Sequence, residues 1–250
     1  MSDADRAPRG LVTLSVLAVV AILGIAGLTA LGVWQVERRT WKLDLIAHVD
    51  QRSHAAPAAA PGPAAWLAIN RSDDEYRRVS VAGRFGPGKD AFVQAVTDLG
   101  AGFWVLTPLR TDAGFTVLVN RGFVSPDERK ANAFAAPASP VTVTGLLRIT
   151  EPKGGFLRSN DPAADRWYSR DIAAIAESRN IGAVAPYFID ADTSLDGPGG
   201  PHGGLTVIVF PNSHAVYALT WFSLALMLAG GAFYVARDEW RTRKKSSSRV

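Results

Sequence analysis

Apolar residues are distributed along this chain in two ways. A long unbroken run lies near each end, and between them are short stretches where apolar and polar residues alternate. Gly10 to Val36 contains no charged residue, and neither does Tyr217 to Ala236. An α-helix rises about 1.5 Å per residue and a hydrocarbon core is about 30 Å thick, so about 20 apolar residues cross it. Both runs reach that length, which predicts transmembrane helices over 11–36 and 215–236. Helical periodicity continues past the first run, where Leu31, Trp34, Arg38, Trp41 and Leu45 share one stripe, predicting a juxtamembrane helix over 37–54. The stripe is either an interfacial belt, with Trp34 at headgroup depth and Arg38 snorkelling, or a docking face for the second helix or another membrane protein. Small residues would let the two spans approach closely in lipid: Gly24, Gly27 and Ala30 on the first, Ala225, Ala229, Gly231 and Ala232 on the second.

The stretch AAPAAAPGP (Ala55 to Pro63) breaks helix and strand alike, and predicts a linker over 55–65. Period-two alternation then marks strands at Arg77–Phe85, Ala91–Val96, Phe103–Leu109, Phe115–Val124 and Val141–Leu147. Two more are expected around Tyr187–Ile189 and Leu205–Val209. The Gly- and Pro-rich connectors are too short for parallel crossovers, so neighbouring strands run antiparallel and the sheet can curl toward a barrel. Asp171 to Arg179 reads as one helix capped by Asp171. The predicted fold is therefore a membrane protein with two transmembrane helices flanking an α+β, mainly antiparallel-sheet extracytoplasmic domain over 66–210.

Charge sets the expected orientation. Basic residues are retained in the cytoplasm. The tail over 237–250 holds Arg237, Arg241, Arg243, Lys244, Lys245 and Arg249, and the head over 1–10 holds Arg6 and Arg9. Together these outweigh Arg38, Arg39 and Lys42 beyond the first run. Both termini are expected inside and the central domain in the periplasm. The first run is longer than the 7–15 residue apolar core of a signal peptide, and Leu28-Thr29-Ala30 is a poor cleavage site. Asp3 and Asp5 spoil the acid-poor pattern of a mitochondrial transit peptide, leaving a bacterial inner membrane as the best fit. The net charge of +4 is concentrated in the tail, where it serves topology and lipid headgroups rather than nucleic acid. There is no cysteine, which excludes disulfides, a thiol nucleophile and thiolate copper ligation.

Most motif candidates fail on chemistry. Gly83 to Lys89 (GRFGPGK) resembles a phosphate loop, but Asp90 stands where magnesium needs a hydroxyl and a strand follows where a helix is required. No nucleophile–base pair supports a hydrolase. His48 and His54 are six apart, about 120° round a helix, so they cannot share a metal; His202 reads as a solvated loop residue. His214 differs. It opens the second apolar helix after Pro211-Asn212-Ser213, whose polar side chains can cap the start, and Tyr217 and Trp221 follow one and two turns on. Such a set is either an ordinary interfacial belt or an axial imidazole for haem iron flanked by aromatic rings.

These residues resemble a known family. Leu31-Gly32, Trp34-Gln35, Arg38 and Trp41-Lys42 are similar to the opening of the SURF1 (Shy1-like) proteins. The likeness recurs at Val81-Ala82-Gly83-x-Phe85, Val119 to Val124 (VNRGFV), Asn160-Asp161, Trp167-Tyr168, Arg170-Asp171, Asn212-x-His214, Tyr217-Ala218 and Thr220-Trp221-Phe222. One departure is Ser125, where the family usually has Pro; here Pro126 comes one position late, which could shift a turn. The resemblance implies an assembly factor, not an enzyme, for haem-copper cytochrome c oxidase. It implies transient binding of haem a and help with its insertion into subunit I, with haem A synthase as a second partner. It places His214 on the haem iron with Tyr217 and Trp221 alongside, and it makes Arg38 a candidate propionate partner. Arg121 and Trp167 take structural or partner-contact roles. The rival reading is a membrane-tethered scaffold for oxidase subunits that binds no cofactor.

Overall fold

The computed structural model describes residues 9–132, 134–155, 157–196, 200–208 and 210–247; Arg6, Val209 and Arg249 lie outside them. The chain forms two units, one of Met1–Ile46 with Val209–Val250 and one of Ala47–Ile208.

The first unit is built on helix α1 (Leu11–His54) as far as Ile46 and on helix α5 (His214–Ser247), both long and apolar enough to cross a membrane. On α5 the inward-turned residues His214, Ala218, Trp221, Ala225, Leu228, Ala232, Val235 and Glu239 recur at alternating steps of four and three. That 3.5-residue repeat keeps one seam against a partner helix. On α1 the facing positions include Gly24, Gly32 and Gln35: a Cβ on Gly32 would come 2.5 Å from the Phe222 ring, and one on Gly24 would come 2.7 Å from Leu228. Gly27 and Gly231 face open space, and Ala30 is exposed, so those three take no part in the packing. The stripe Leu31, Trp34 and Trp41 is 41–53% exposed and turned outward. It is not the face that meets the second helix, because one helix rotation cannot present both it and Gly32–Gln35 to the same neighbour.

The described residues of the second unit form seven strands: β1 (Ala58–Ala59), β2 (Arg78–Phe85), β3 (Ala91–Thr97), β4 (Gly100–Thr111), β5 (Thr116–Val124), β6 (Val141–Ile149) and β7 (Val184–Ala191). Their order is β1-β2-β6-β7-β5-β4-β3, and β2 also pairs β4 at Gly83–Thr111, Arg84–Arg110 and Phe85–Leu109. That pairing closes β2, β6, β7, β5 and β4 into a five-stranded barrel, leaving β1 and β3 as the edge strands of the sheet. Most pairs are antiparallel; β5–β7 and β1–β2 are parallel. The connector between β5 and β7, through β6 and helix α4 (Ile172–Ser178), is long enough for a parallel pairing that short turns forbid. The barrel interior is filled by Val79, Val81, Leu109, Val117, Val119, Val143, Leu147, Tyr187 and Ile189. A second layer, with Leu106, Leu118, Phe188, Trp167, Ile172 and Ile175, packs α4 on the outside. This is why β5 is buried along its whole length despite its alternating sequence.

Several local expectations meet their physical reasons here. Asp171 caps α4, accepting from the N–H of Ala174 at 3.2 Å. The phosphate-loop look-alike is the end of β2 and a turn into β3. The stretch read as a linker contributes β1: Ala58 and Ala59 pair with Val79 and Ser80, and Pro61 O accepts from Tyr187 Oη at 2.7 Å. Proline is compatible with an edge strand because no ladder N–H is required there. Leu205 to Ile208 form no strand, because the segment is held by Thr206 Oγ1 donating to Asp190 Oδ2 at 2.9 Å rather than by a ladder. Arg121 and Trp167 are 3% and 0% exposed, which removes the partner-contact role and leaves the structural one. Helix α3 (Pro126–Ala131) was not foreseen. It explains the Ser125 departure: Ser125 and Glu128 form a capping box with Pro126 in the first helical turn.

Candidate functional site

The start of α5 is where sequence and geometry converge. Its first free N–H groups, on Val216 and Tyr217, donate to the backbone carbonyl of Ser213 at 3.1 and 3.3 Å. Of the two polar side chains expected to cap the start, Asn212 does not: its Oδ1 is buried with no hydrogen-bond partner among the described residues. His214 therefore emerges at a defined height, and its Nδ1 lies 2.8 Å from Oε1 of Gln35 on α1. Gln35 is 9% exposed. With that oxygen as the acceptor, the imidazole is the donor through Nδ1–H, which in the neutral ring makes Nε2 the lone-pair nitrogen.

The other expected site residues lie at different distances from this centre. Trp221 is half-buried on the inward seam, two turns below His214, and its indole N–H has no acceptor. Tyr217 is 53% exposed. At about 100° per residue it lies about 60° round the helix from His214, off the seam. Arg38 sits one turn past Gln35 on α1, exposed, with its guanidinium stacked 3.9 Å over the Trp41 ring. His214 is thus brought together with Gln35, a residue to which pattern reasoning gave no role. The spacing of Trp34-Gln35 on α1 carries no hint that the glutamine turns inward, because only the docked pair reveals the seam.

At the opposite end of the helix pair, Glu239 is 7% exposed and accepts from the Arg9 backbone N–H and from Arg243 Nε, both at 3.0 Å. Arg243 Nη2 donates to Arg9 O at 2.9 Å. A bond between Gln35 and His214 at one end and a clasp at the other fix the helices antiparallel.

The domain holds a second polar centre that the sequence reading missed. Asp190, 3% exposed, accepts from Arg148 at 2.7 Å, Asn120 at 2.8 Å, Thr206 at 2.9 Å and Arg170 at 3.5 Å. Glu75 meets Arg148 at 2.8 Å and Glu151 meets Arg170 at 2.7 Å. Burial lowers the Arg148 pKa, and Asp190 with Glu75 more than reverses this, leaving it raised. In the Asn120-Arg121-Gly122 motif, Asn120 also accepts from the Gly122 N–H at 3.2 Å. Gly122 has φ +134° and a Cβ there would strike the His202 backbone, so only glycine fits. His202 is tied down by paired backbone bonds to Phe123, while its half-exposed ring lies 3.6 Å from Glu128. Among the described residues no cluster of three His, Asp or Glu side chains could hold a metal ion. This network ties β5, β6 and β7 to the Thr206 segment and to Arg170.

The comparisons bear on the whole arrangement. The SURF1 family profile matches residues 22–226, from the first apolar helix into the second. The chain belongs to the SURF1 family. Surfeit locus protein 1 of Mus musculus is 37% identical over 215 residues, covering 78% of this chain and 67% of that protein. Surfeit locus protein 1 of Homo sapiens is 35% identical over 217 residues, covering 78% and 69%. A SURF1-like protein of Monosiga brevicollis is 36% identical over 219 residues, covering 81% of each chain. The SURF1 match contains Gln35, Arg38, His214, Tyr217 and Trp221.

Proposed function

We propose that this SURF1-family chain is a membrane-anchored assembly factor for haem-copper cytochrome c oxidase, binding haem a and assisting its insertion into subunit I. It acts by binding and hand-over, not by catalysis. The observation that carries the reading is His214, held through Nδ1 at the start of an apolar helix with Nε2 left as a ligand nitrogen. The residues fit the group. Nε2 of His214 would hold the iron, the unpartnered indole N–H of Trp221 lies on the same seam, and Tyr217 presents a half-exposed ring beside it. Arg38 is the carboxylate partner nearest in sequence to Gln35, once released from its stack on Trp41. A single axial imidazole suits transient loading better than two. Haem a supplies redox chemistry to the oxidase; this chain supplies position.

The spacing of the two polar clasps supports a membrane setting. From His214 to Glu239 an α-helix rises about 38 Å, more than the roughly 30 Å hydrocarbon core and less than the about 40–45 Å that includes headgroups. His214 and Glu239 then fall in opposite headgroup layers. With the basic residues of the tail retained inside, His214 and the barrel face the periplasm of a bacterial inner membrane.

The test is an absorption spectrum of the full chain purified from haem a-producing cells. Native protein is expected to carry haem bands, His214→Ala to lose them with circular dichroism unchanged, and Tyr217→Ala to weaken them. A His214→Ala protein with unshifted, full haem content would overturn the assignment and leave the cofactor-free scaffold.

A further inference from the structure

We propose that Gln35 is a positioning residue for His214, setting which imidazole nitrogen carries the proton and therefore which one can ligate. The ligation half of this inference rests on the proposed function; the tautomer half does not. Nδ1 of His214 is 2.8 Å from Gln35 Oε1, and Gln35 is buried on the face of α1 turned toward α5. An amide oxygen accepts, so with Oε1 toward the ring the contact takes Nδ1–H, and in the neutral imidazole Nε2 is then the lone-pair nitrogen; Nδ1 accepts only where the amide presents its NH2 instead. A free neutral imidazole favours the opposite tautomer, with the proton on Nε2. The contact therefore inverts the intrinsic preference and prepares a ligand nitrogen before any metal arrives. It also fixes the ring plane, because the donor must point at one oxygen on a neighbouring helix. Metal-bound histidines are held in this way by an acceptor on the other nitrogen, and losing that acceptor typically lowers metal affinity about 10–100-fold.

Two variants separate positioning from packing. Gln35→Met keeps length and volume but removes the acceptor; Gln35→Glu keeps an acceptor in the same place. The full chain, free of haem and with ¹⁵N-labelled histidine, is placed in lipid nanodiscs at about pH 8.5, above the ordinary histidine range. His214 is assigned by its loss in His214→Gln. The expected spectrum shows His214 protonated on Nδ1 in the native chain and in Gln35→Glu, and mainly on Nε2 in Gln35→Met. Titration with detergent-solubilised haem a should then show affinity lowered about 10–100-fold by Gln35→Met and kept by Gln35→Glu, with an altered Soret band in the latter. A native His214 already protonated on Nε2 overturns the inference, as does a Gln35→Met protein with native tautomer and affinity. Equal loss of haem in both variants with the tautomer unchanged would make Gln35 a packing residue and also overturn it. If the native chain binds no haem a, the proposed function fails, while the tautomer measurement still decides the role of Gln35.

Discussion

Arg121 is the residue whose environment is least expected from its chemistry. It is 3% exposed, and among the described residues Nη2 donates to the Ala135 carbonyl at 3.2 Å while Nε and Nη1 find no hydrogen-bond partner. Burial pushes its pKa down, and Asp90 opposes that only in part. A buried charge without an ion-pair partner carries a desolvation penalty that an apolar chain of similar volume does not. Arg121→Met should therefore leave the thermal midpoint of the full chain unchanged or raised, whereas Arg121→Ala should lower it through the cavity left behind. Equal destabilisation by both would show that the charge itself is needed. Asp190 is the opposite case, a buried carboxylate meeting four donors. Asp190→Asn should cost about 3 kcal/mol or more, because it leaves two partly buried guanidinium groups short of charge. Chemical denaturation measures this, and a loss below 1 kcal/mol would mean that Glu75 and Glu151 suffice.

At the scale of elements, the helix pair and α3 make separable predictions. Gly32→Leu should part the helices, because its side chain would meet the Phe222 ring, whereas Gly27→Leu, facing open space, should not. The chain has no cysteine, so Arg9→Cys with Glu239→Cys gives a clean reporter for a short bifunctional maleimide. Crosslinking should survive Gly27→Leu and drop with Gly32→Leu; the reverse order would place the seam elsewhere. For α3, the Ser125–Glu128 capping box predicts that Ser125→Ala costs about 1 kcal/mol. The same box bears on pH. The backbone N–H and hydroxyl of Ser125 hold Glu128 below the usual carboxylate range, as Asn70 does for Asp73 and Arg166 for Asp161. A depressed folded pKa gives stability that is complete above the unfolded range, about 4, and is lost as pH falls through the folded value. The thermal midpoint should thus be flat near neutrality and fall below about pH 4. Glu128→Gln, which keeps the cap, should fall less steeply; an unchanged acid limb would remove Glu128 from the account.

For the whole molecule, orientation is the property to test. Val96 is 86% exposed on β3 and Arg241 is exposed on the last turns of α5, so single cysteines at either site report accessibility without disturbing packing. With the barrel in the periplasm, a membrane-impermeant maleimide added to intact cells should label Val96→Cys and spare Arg241→Cys. The opposite pattern would move the barrel to the cytoplasm and defeat the charge argument. The barrel also presents a cleft of about 500 Å³ beside Val96, with Phe103, Tyr168 and Arg158 in its wall. It lies along the outer edge of β3, beyond the point where Val93 bridges to Trp167 and the Gln94 N–H donates to the Trp167 carbonyl at 2.9 Å.

The sequence by itself determined what depends on neighbours along the chain. An uncharged run of sufficient length gives the first part of α1, up to Val36, period-two alternation gives strands such as Val141–Ile149, and an Asp before IAAIA caps α4. The capping box at Ser125-x-x-Glu128 was equally readable. Only the tertiary structure decided which strands meet. Closure of β2 on β4 and the parallel partner of β5 join residues far apart in sequence, and alternation is the same whichever strand lies alongside. It also decided which face of each helix is the seam, since a helix apolar all round has no preferred side until another packs on it. The pairing of Gln35 with His214, 179 residues apart, follows from that rotation and from nothing local.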